Sequence, residues 1–84
     1  MKPDMHPANP QVLTYATLKA MPKPLYTELA IAASYAGRSP QRWAIGRLTE
    51  HWQDSYRDLS PKERRAVAMD LLIDETYRLT GRQN

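Results

Sequence analysis

Apolar residues recur at spacings of three and four along the middle of the chain, which is the pattern of an amphipathic helix. The clearest stretch is residues 24–36, where Pro24 stands in the predicted first turn. Its apolar positions share one face of a helix and comprise Leu25, Leu29, Ala32, Ala33 and Ala36. Gly37 follows as a residue that tolerates positive φ, so the pattern predicts a helix that ends there.

Two further helices are predicted to start at Ser39 and Ser60, because each serine is a good N-cap and is followed by proline. Glu63, three residues after Ser60, completes a capping box. The predicted apolar stripe of the second helix is Ile45, Leu48, Trp52 and Leu59, flanked by Trp43 and Tyr56; that of the third is Val67, Leu71, Leu72, Tyr77 and Leu79, before Gly81. Gly46 weakens the second helix by about 1 kcal/mol relative to alanine, which indicates close packing there.

The segment 11–21 supports two interpretations. Its β-branched and aromatic residues favour a strand; they are Val12, Thr14, Tyr15 and Thr17. Asn9 and Pro10 equally favour a helix, with Asn9 as N-cap and Pro10 as the first helical residue. Local signals leave both interpretations open.

Length and composition limit what the chain can be. With 84 residues and no cysteine it is one small domain without disulfides, for which oligomerisation is the common source of extra stability. The net charge of +3 is spread along the chain and permits nucleic-acid binding without requiring it. No apolar run is long enough to span a bilayer and the N-terminus lacks a signal-peptide core, so we expect a cytoplasmic protein with no membrane partner.

Catalytic chemistry finds little support in the sequence. The two histidines, His6 and His51, have no ligand at metal-binding spacing, and no glycine-rich phosphate loop is present. Asp70 and Asp74 lie one helical turn apart and fit a solvated face, with Arg78 four residues after Asp74. We therefore expect neither an enzyme, nor a cofactor, nor a bound metal.

Several residues together resemble the ribbon-helix-helix family, which includes the Arc repressor and VapB-type antitoxins. They are Lys19 to Leu25, then Leu29 and Ala33, and finally Gly37, Arg38 and Ser39. Members of the family have a short strand, a proline, an amphipathic helix and then Gly-Arg-Ser at the start of a second helix. Pro22 precedes Gly37 by fifteen residues, as in that family. The resemblance covers about residues 14–53.

The resemblance implies a mostly α fold, with one short N-terminal strand, two core helices and an extra C-terminal helix, as an intertwined homodimer. Residues 1–10 would be a flexible arm. Residues 11–59 would form the ribbon-helix-helix DNA-binding domain. Residues 60–84 would supply a C-terminal helix, which packs on its own dimer or binds a toxin or other protein.

The implied partner is a double-stranded DNA operator, read in the major groove by a two-stranded ribbon. The resemblance assigns base contacts to Tyr15, Thr17 and Lys19. It assigns phosphate contacts to the start of the second helix, at Arg38, Ser39 and Gln41. A partner surface is predicted from four large side chains, Trp52, Tyr56, Leu71 and Tyr77. The three aromatic residues among them suit a core equally well.

Two functions follow as expectations. The first is a small dimeric, sequence-specific transcriptional regulator of repressor or antitoxin type. The second is an all-helical protein-interaction module, such as a small inhibitor or adaptor, without DNA binding. The conformation of residues 11–21 distinguishes them, because a strand favours the regulator and a helix favours the interaction module.

Overall fold

A computed structural model describes residues 10–52 and 54–81 of the chain. The described residues form four α-helices and one short 3-10 helix, and they contain no strand. The α-helices are α1 (Pro10–Ala20), α2 (Lys23–Tyr35), α3 (Pro40–Glu50) and α4 (Pro61–Thr80); the 3-10 helix, Asp54–Asp58, lies between α3 and α4. None of these helices is both long enough and apolar enough to cross a membrane.

A proline stands at the first or second position of every α-helix. These prolines are Pro10, Pro24, Pro40 and Pro61. The first turn is where a missing backbone N–H costs least, because the helix has no internal acceptor for it, and the fixed φ of proline already suits a helix. Proline therefore marks where each helix of the bundle begins.

The turn between α2 and α3 is specified by local signals on both sides. The N–H of Gly37 donates to the Ser34 carbonyl at 3.0 Å and that of Arg38 to the Ala33 carbonyl at 3.1 Å, while Gly37 has a φ of +70°. This is the Schellman arrangement, which satisfies the last carbonyls of α2. Ser39 then caps α3, its side chain accepting from the Arg42 N–H. The predicted end of one helix and start of the next are confirmed.

The predicted capping box at the start of α4 is also confirmed. The Ser60 N–H donates to the Glu63 carboxylate at 2.9 Å, and the Glu63 N–H donates to the Ser60 hydroxyl at 3.1 Å. Gly81 ends the helix with a φ of +72°. The α4 helix is consequently fixed at both ends by its own sequence.

The predicted N-terminal strand is wrong, because residues 11–20 belong to α1. One face of α1 is buried and consists of Leu13, Thr14, Thr17 and Leu18. The Thr14 hydroxyl donates to the Pro10 carbonyl at 2.7 Å and the Thr17 hydroxyl to the Leu13 carbonyl at 2.8 Å, so the buried threonines need no other partner. Burial of this face outweighs the β propensity of its residues.

Without the strand, the predicted ribbon-helix-helix fold is also wrong. An intertwined homodimer of that type requires each chain to contribute a strand to a shared ribbon, and the described residues have none to contribute. Instead, helices of one chain pack on one another, with α4 contacting α1, α2 and α3. The predicted flexible arm covers residues 1–10. Residues 1–9 lie outside the described residues, and Pro10 begins α1.

Two clusters of buried side chains form the core. The larger cluster contains Leu18, Met21, Leu29, Ala32, Ala33, Trp43, Ala44 and Leu72; the smaller contains Leu13, Leu48 and Ala68. Leu72 and Ala68 both belong to α4, so this helix contributes to each cluster. The core is thus built from all four helices of a single chain.

The second predicted helix is shorter than its apolar pattern suggests. The α3 helix ends at Glu50, so Trp52 and Leu59 lie beyond it rather than on its buried stripe. The residues that α3 buries are Trp43, Ala44 and Leu48. The error arises because the apolar spacing continues past the end of α3, into the segment that contains the 3-10 helix.

Arg64 holds the 3-10 helix against α4. Its side chain is buried, and its guanidinium donates to the carbonyls of Tyr56 at 2.7 Å and Arg57 at 3.0 Å. Hydrogen bonds from a charged donor are stronger than neutral ones. The Tyr56 carbonyl also accepts from the Leu59 N–H at 3.2 Å, so the Arg64 guanidinium adds a second donor there. This residue therefore joins the 3-10 helix to the first turn of α4.

Candidate functional site: a groove along α3

A groove of about 410 Å³ opens where the end of α2, the exposed face of α3 and the end of α4 meet. Its lining residues are Ala36, Arg38, Arg42, Trp43, Gly46, Arg47, Glu50 and Leu79. Three of the eight are arginines and one is a glutamate, so the lining carries a formal charge of +2. The groove therefore combines apolar surface with positive charge.

The sequence of α3 divides the helix between core and groove. Arg42, Gly46 and Glu50 recur every four residues, which places them on one face. Ala44 and Leu48 lie on the other face and are buried in the core. The helix is held in this orientation by its core face, and the groove face is what remains open to solvent.

Gly46 keeps the groove open rather than allowing close packing, so the prediction made from the sequence is wrong. A Cβ atom built at this position would meet no other atom within 4 Å, and the residue is exposed. Glycine in the middle of a helix costs stability, and no contact in the described residues requires it here. A local cost without a packing reason is typical of a functional surface.

Gly46→Ala is expected to raise the free energy of unfolding by about 1 kcal/mol, because alanine is the better helix former and its methyl group enters open space. Urea denaturation followed by circular dichroism measures the change. The matched control is Gly37→Ala, which must lower stability, since residue 37 has positive φ. Equal effects of the two substitutions would contradict this account of Gly46.

Charge is distributed unevenly along the groove. Within the described part of the chain, Arg38 and Arg42 have no carboxylate partner. Arg47, further along α3, pairs with Glu50 at 2.6 Å and with Glu75 of α4 at 3.4 Å. The start of α3 also presents the positive end of a helix dipole. The end of the groove near the α2–α3 turn is therefore cationic, while the other end is neutralised by ion pairs.

The groove also has an apolar part, formed by Ala36, Trp43 and Leu79. Trp43 is 4% exposed and belongs to the core, so only a small part of its side chain reaches the base of the groove. Leu79, from the last turn of α4, is 45% exposed. Ala36, at the end of α2, is exposed as well. An apolar group placed here would cover surface that water now contacts.

The three residues assigned to base contacts lie on α1 and not on a ribbon. Tyr15 and Lys19 are exposed on this helix. Thr17 is buried, and its hydroxyl is hydrogen bonded to the Leu13 carbonyl, so it is not available to a ligand. The arrangement that would present these residues together to a base edge is absent from the described structure.

The three residues assigned to phosphate contacts do lie together, in the turn and first residues of α3. Arg38, Ser39 and Gln41 are all exposed. Ser39 is the N-cap, and its hydroxyl is engaged with the Arg42 N–H at 3.3 Å. Their contact with phosphate stays a prediction, and of the three only Arg38 lines the groove.

None of the four residues predicted to form a partner surface lines the groove. Trp52 and Tyr56 contact each other edge to face, with ring centroids 4.8 Å apart. Trp52 and Leu71 are half-buried and pack against the smaller core cluster. Tyr77 is half-buried on α4. Part of each of these side chains is already used within the protein, and binding of a partner there stays a prediction.

The groove residues Arg42, Arg47 and Leu79 were missed from the sequence. The one available signal was Gly46, a helix-weakening residue on the same face as Arg42 and Glu50. Leu79 could not be assigned to the same surface from the sequence. It lies near the end of α4, far from α3 along the chain, and its position depends on how the helices pack.

The described residues contain no group of three or more histidine, cysteine or carboxylate side chains that could hold a metal ion. Asp74 is paired with Arg78 at 3.5 Å, as the spacing predicted.

No family model, no curated protein and no solved structure matches the chain. The resemblance to ribbon-helix-helix proteins therefore has neither the fold nor a family match behind it.

Proposed function

We propose that this protein is a small all-helical protein-interaction module, acting as an inhibitor or adaptor, and that the groove along α3 is its binding surface. The observation that carries the proposal is the combination of unpaired arginines, exposed apolar surface and an unpacked glycine in one concave site. The α-helical conformation of residues 10–20 supports it, since this was the feature that distinguished the two expected functions.

The dimensions of the groove suit a short segment of polypeptide. Its volume of about 410 Å³ is within the usual range of ligand sites. The groove residues on α3 run from Arg42 to Glu50, about 12 Å along the helix axis, which matches about four residues of extended chain. Arginine, present here as the exposed Arg38 and Arg42, is enriched where binding energy concentrates at protein interfaces.

Selection of random linear peptides displayed on phage tests this function. The expected result is enrichment of sequences whose binding is lost in Gly46→Leu, because a leucine side chain at this position would project into the groove. Thr49→Leu is the matched control, since Thr49 is exposed on the same helix but does not line the groove. Both substitutions favour helix, so neither is expected to unfold α3.

Two results would overturn the proposal. One is failure to enrich any peptide against the wild-type protein. The other is enrichment of peptides that bind the Gly46→Leu and Thr49→Leu variants equally well, which would place the binding surface elsewhere on the molecule.

A further inference from the structure

The distribution of charge and apolar surface within the groove specifies the chemistry of its occupant. We propose that the groove binds an extended acidic segment of a partner protein that carries one large apolar side chain. This inference rests on the proposed function, and it adds the composition and the direction of the bound segment.

Carboxylates of the partner would lie at the cationic end. Arg38 and Arg42 are exposed and have no carboxylate partner among the described residues, so their guanidinium groups are free to bind one. A guanidinium binds a carboxylate through two parallel hydrogen bonds, which fixes orientation as well as adding charge attraction. Two arginines one behind the other favour two neighbouring acidic residues in the ligand.

The apolar side chain of the partner would lie over Gly46. At this position the helix surface has no side chain, and a Cβ atom would meet no other atom within 4 Å. Leu79 and Trp43 line the same groove. A large aliphatic or aromatic side chain that extends from there to Leu79, which is now 45% exposed, would remove Leu79 from water. The missing Cβ of Gly46 is what allows the partner backbone to approach α3.

The far end of the groove limits how many acidic residues the partner can carry. Arg47 is already bound by Glu50 and Glu75, and His51 lies 3.5 Å from Glu75. A further carboxylate at this end would approach Glu50, whose side chain is 62% exposed. The acidic residues of the partner are therefore expected at the Arg38 end only, which sets the direction in which the segment lies.

The groove has cationic, apolar and acidic parts, and this combination favours an acidic peptide over a nucleic acid. A phosphate backbone would satisfy Arg38 and Arg42, but it carries charge along its whole length and would meet Glu50 at the other end. It would also leave Leu79 without an apolar contact. An acidic peptide with one apolar residue would place its carboxylates at Arg38 and Arg42 and its apolar side chain over Gly46. It would bring no further charge to Glu50.

Two measurements test this inference: the composition of the selected peptides, and the dependence of their affinity on Arg38 and Arg42. The expected consensus contains neighbouring Asp or Glu residues next to one large apolar residue. Fluorescence polarisation of a labelled consensus peptide should show binding weakened about tenfold or more in the double variant Arg38→Glu and Arg42→Glu. The matched control, Arg57→Glu with Arg65→Glu, makes the same change of charge at exposed arginines outside the groove and should leave the affinity within about twofold.

Three results would contradict the inference. Enriched peptides that lack acidic residues, yet are blocked by Gly46→Leu, would leave the interaction function standing and remove the acidic ligand. Equal weakening by the two double variants would show only a long-range charge effect. Binding of a mixed-sequence DNA duplex that depends on Arg38 and Arg42, with no peptide enriched, would assign the groove to nucleic acid and overturn both proposals.

Discussion

A chain that ends at Leu59 is expected to be unfolded at room temperature. Removal of α4 takes Leu72 from the larger core cluster and Ala68 from the smaller one, and it exposes the faces of α1, α2 and α3 that α4 covers. Each large buried side chain contributes about 1.5–3 kcal/mol, and a domain of this size has little stability to spare. The loss exceeds what the remaining three helices can supply.

Circular dichroism and thermal melting measure this effect, with the full-length chain as the reference. The shortened chain is expected to lose most of its helical signal and to show no cooperative transition. A second sample, in which a peptide of residues 60–84 is added, tests whether the helical signal returns when α4 is supplied separately. A cooperative melt of the shortened chain at the temperature of the full-length protein would show that α4 does not belong to the core.

Arg64→Met is expected to lower the free energy of unfolding by about 2–4 kcal/mol. Methionine keeps much of the apolar stem but removes the two hydrogen bonds to the carbonyls of Tyr56 and Arg57. A hydrogen bond to a charged group contributes about 1.5–3 kcal/mol, and this substitution removes two of them. The Tyr56 carbonyl keeps its hydrogen bond from the Leu59 N–H, so the expected loss comes from the two bonds themselves. The 3-10 helix would then lose its link to α4.

The neighbouring residue provides the control for this substitution. Arg65 is exposed, so Arg65→Met makes the same chemical change on the same turn of α4 and should shift stability by less than about 0.5 kcal/mol. Urea denaturation of both variants and of Arg64→Lys measures the difference. Arg64→Lys should also be destabilising, because one ammonium group cannot reproduce the fork that reaches both carbonyls. Equal stability of Arg64→Met and Arg65→Met would contradict the role given to Arg64.

Helix boundaries were predictable wherever the signals are local. Ser39 and Ser60 act through residues three positions away, and Gly37 and Gly81 act through their own φ. Because these interactions lie within one turn of the chain, their effect does not depend on the rest of the fold. The starts of α3 and α4 and the end of α2 were therefore correct.

The conformation of residues 11–20 was not determined by local signals. Its β-branched residues favour a strand, and only contact with the other helices decides in favour of α1. One sequence feature did disfavour a strand, since Leu13 and Leu18 are an odd number of residues apart and cannot share a strand face. On a helix, Leu13, Thr17 and Leu18 fall on the same side, which is where the structure buries them.

The groove could be predicted only in part, because its residues come from α3, from α4 and from the turn between α2 and α3. Arg42, Gly46 and Glu50 share a face of α3 by their spacing alone. Leu79 joins them only when α4 crosses the bundle at its observed position. Residues that meet through tertiary packing carry no mark of that meeting in their local sequence.

The prolines at the helix starts also act on the chain before it folds. None of the four prolines is buried, so they add little to the core. Each one fixes its own φ and restricts the residue before it, which reduces the number of conformations open to the disordered chain. A compatible proline stabilises a protein by about 0.4–1 kcal/mol through this loss of conformational entropy. Part of the stability of this bundle therefore comes from the lowered conformational entropy of its disordered chain.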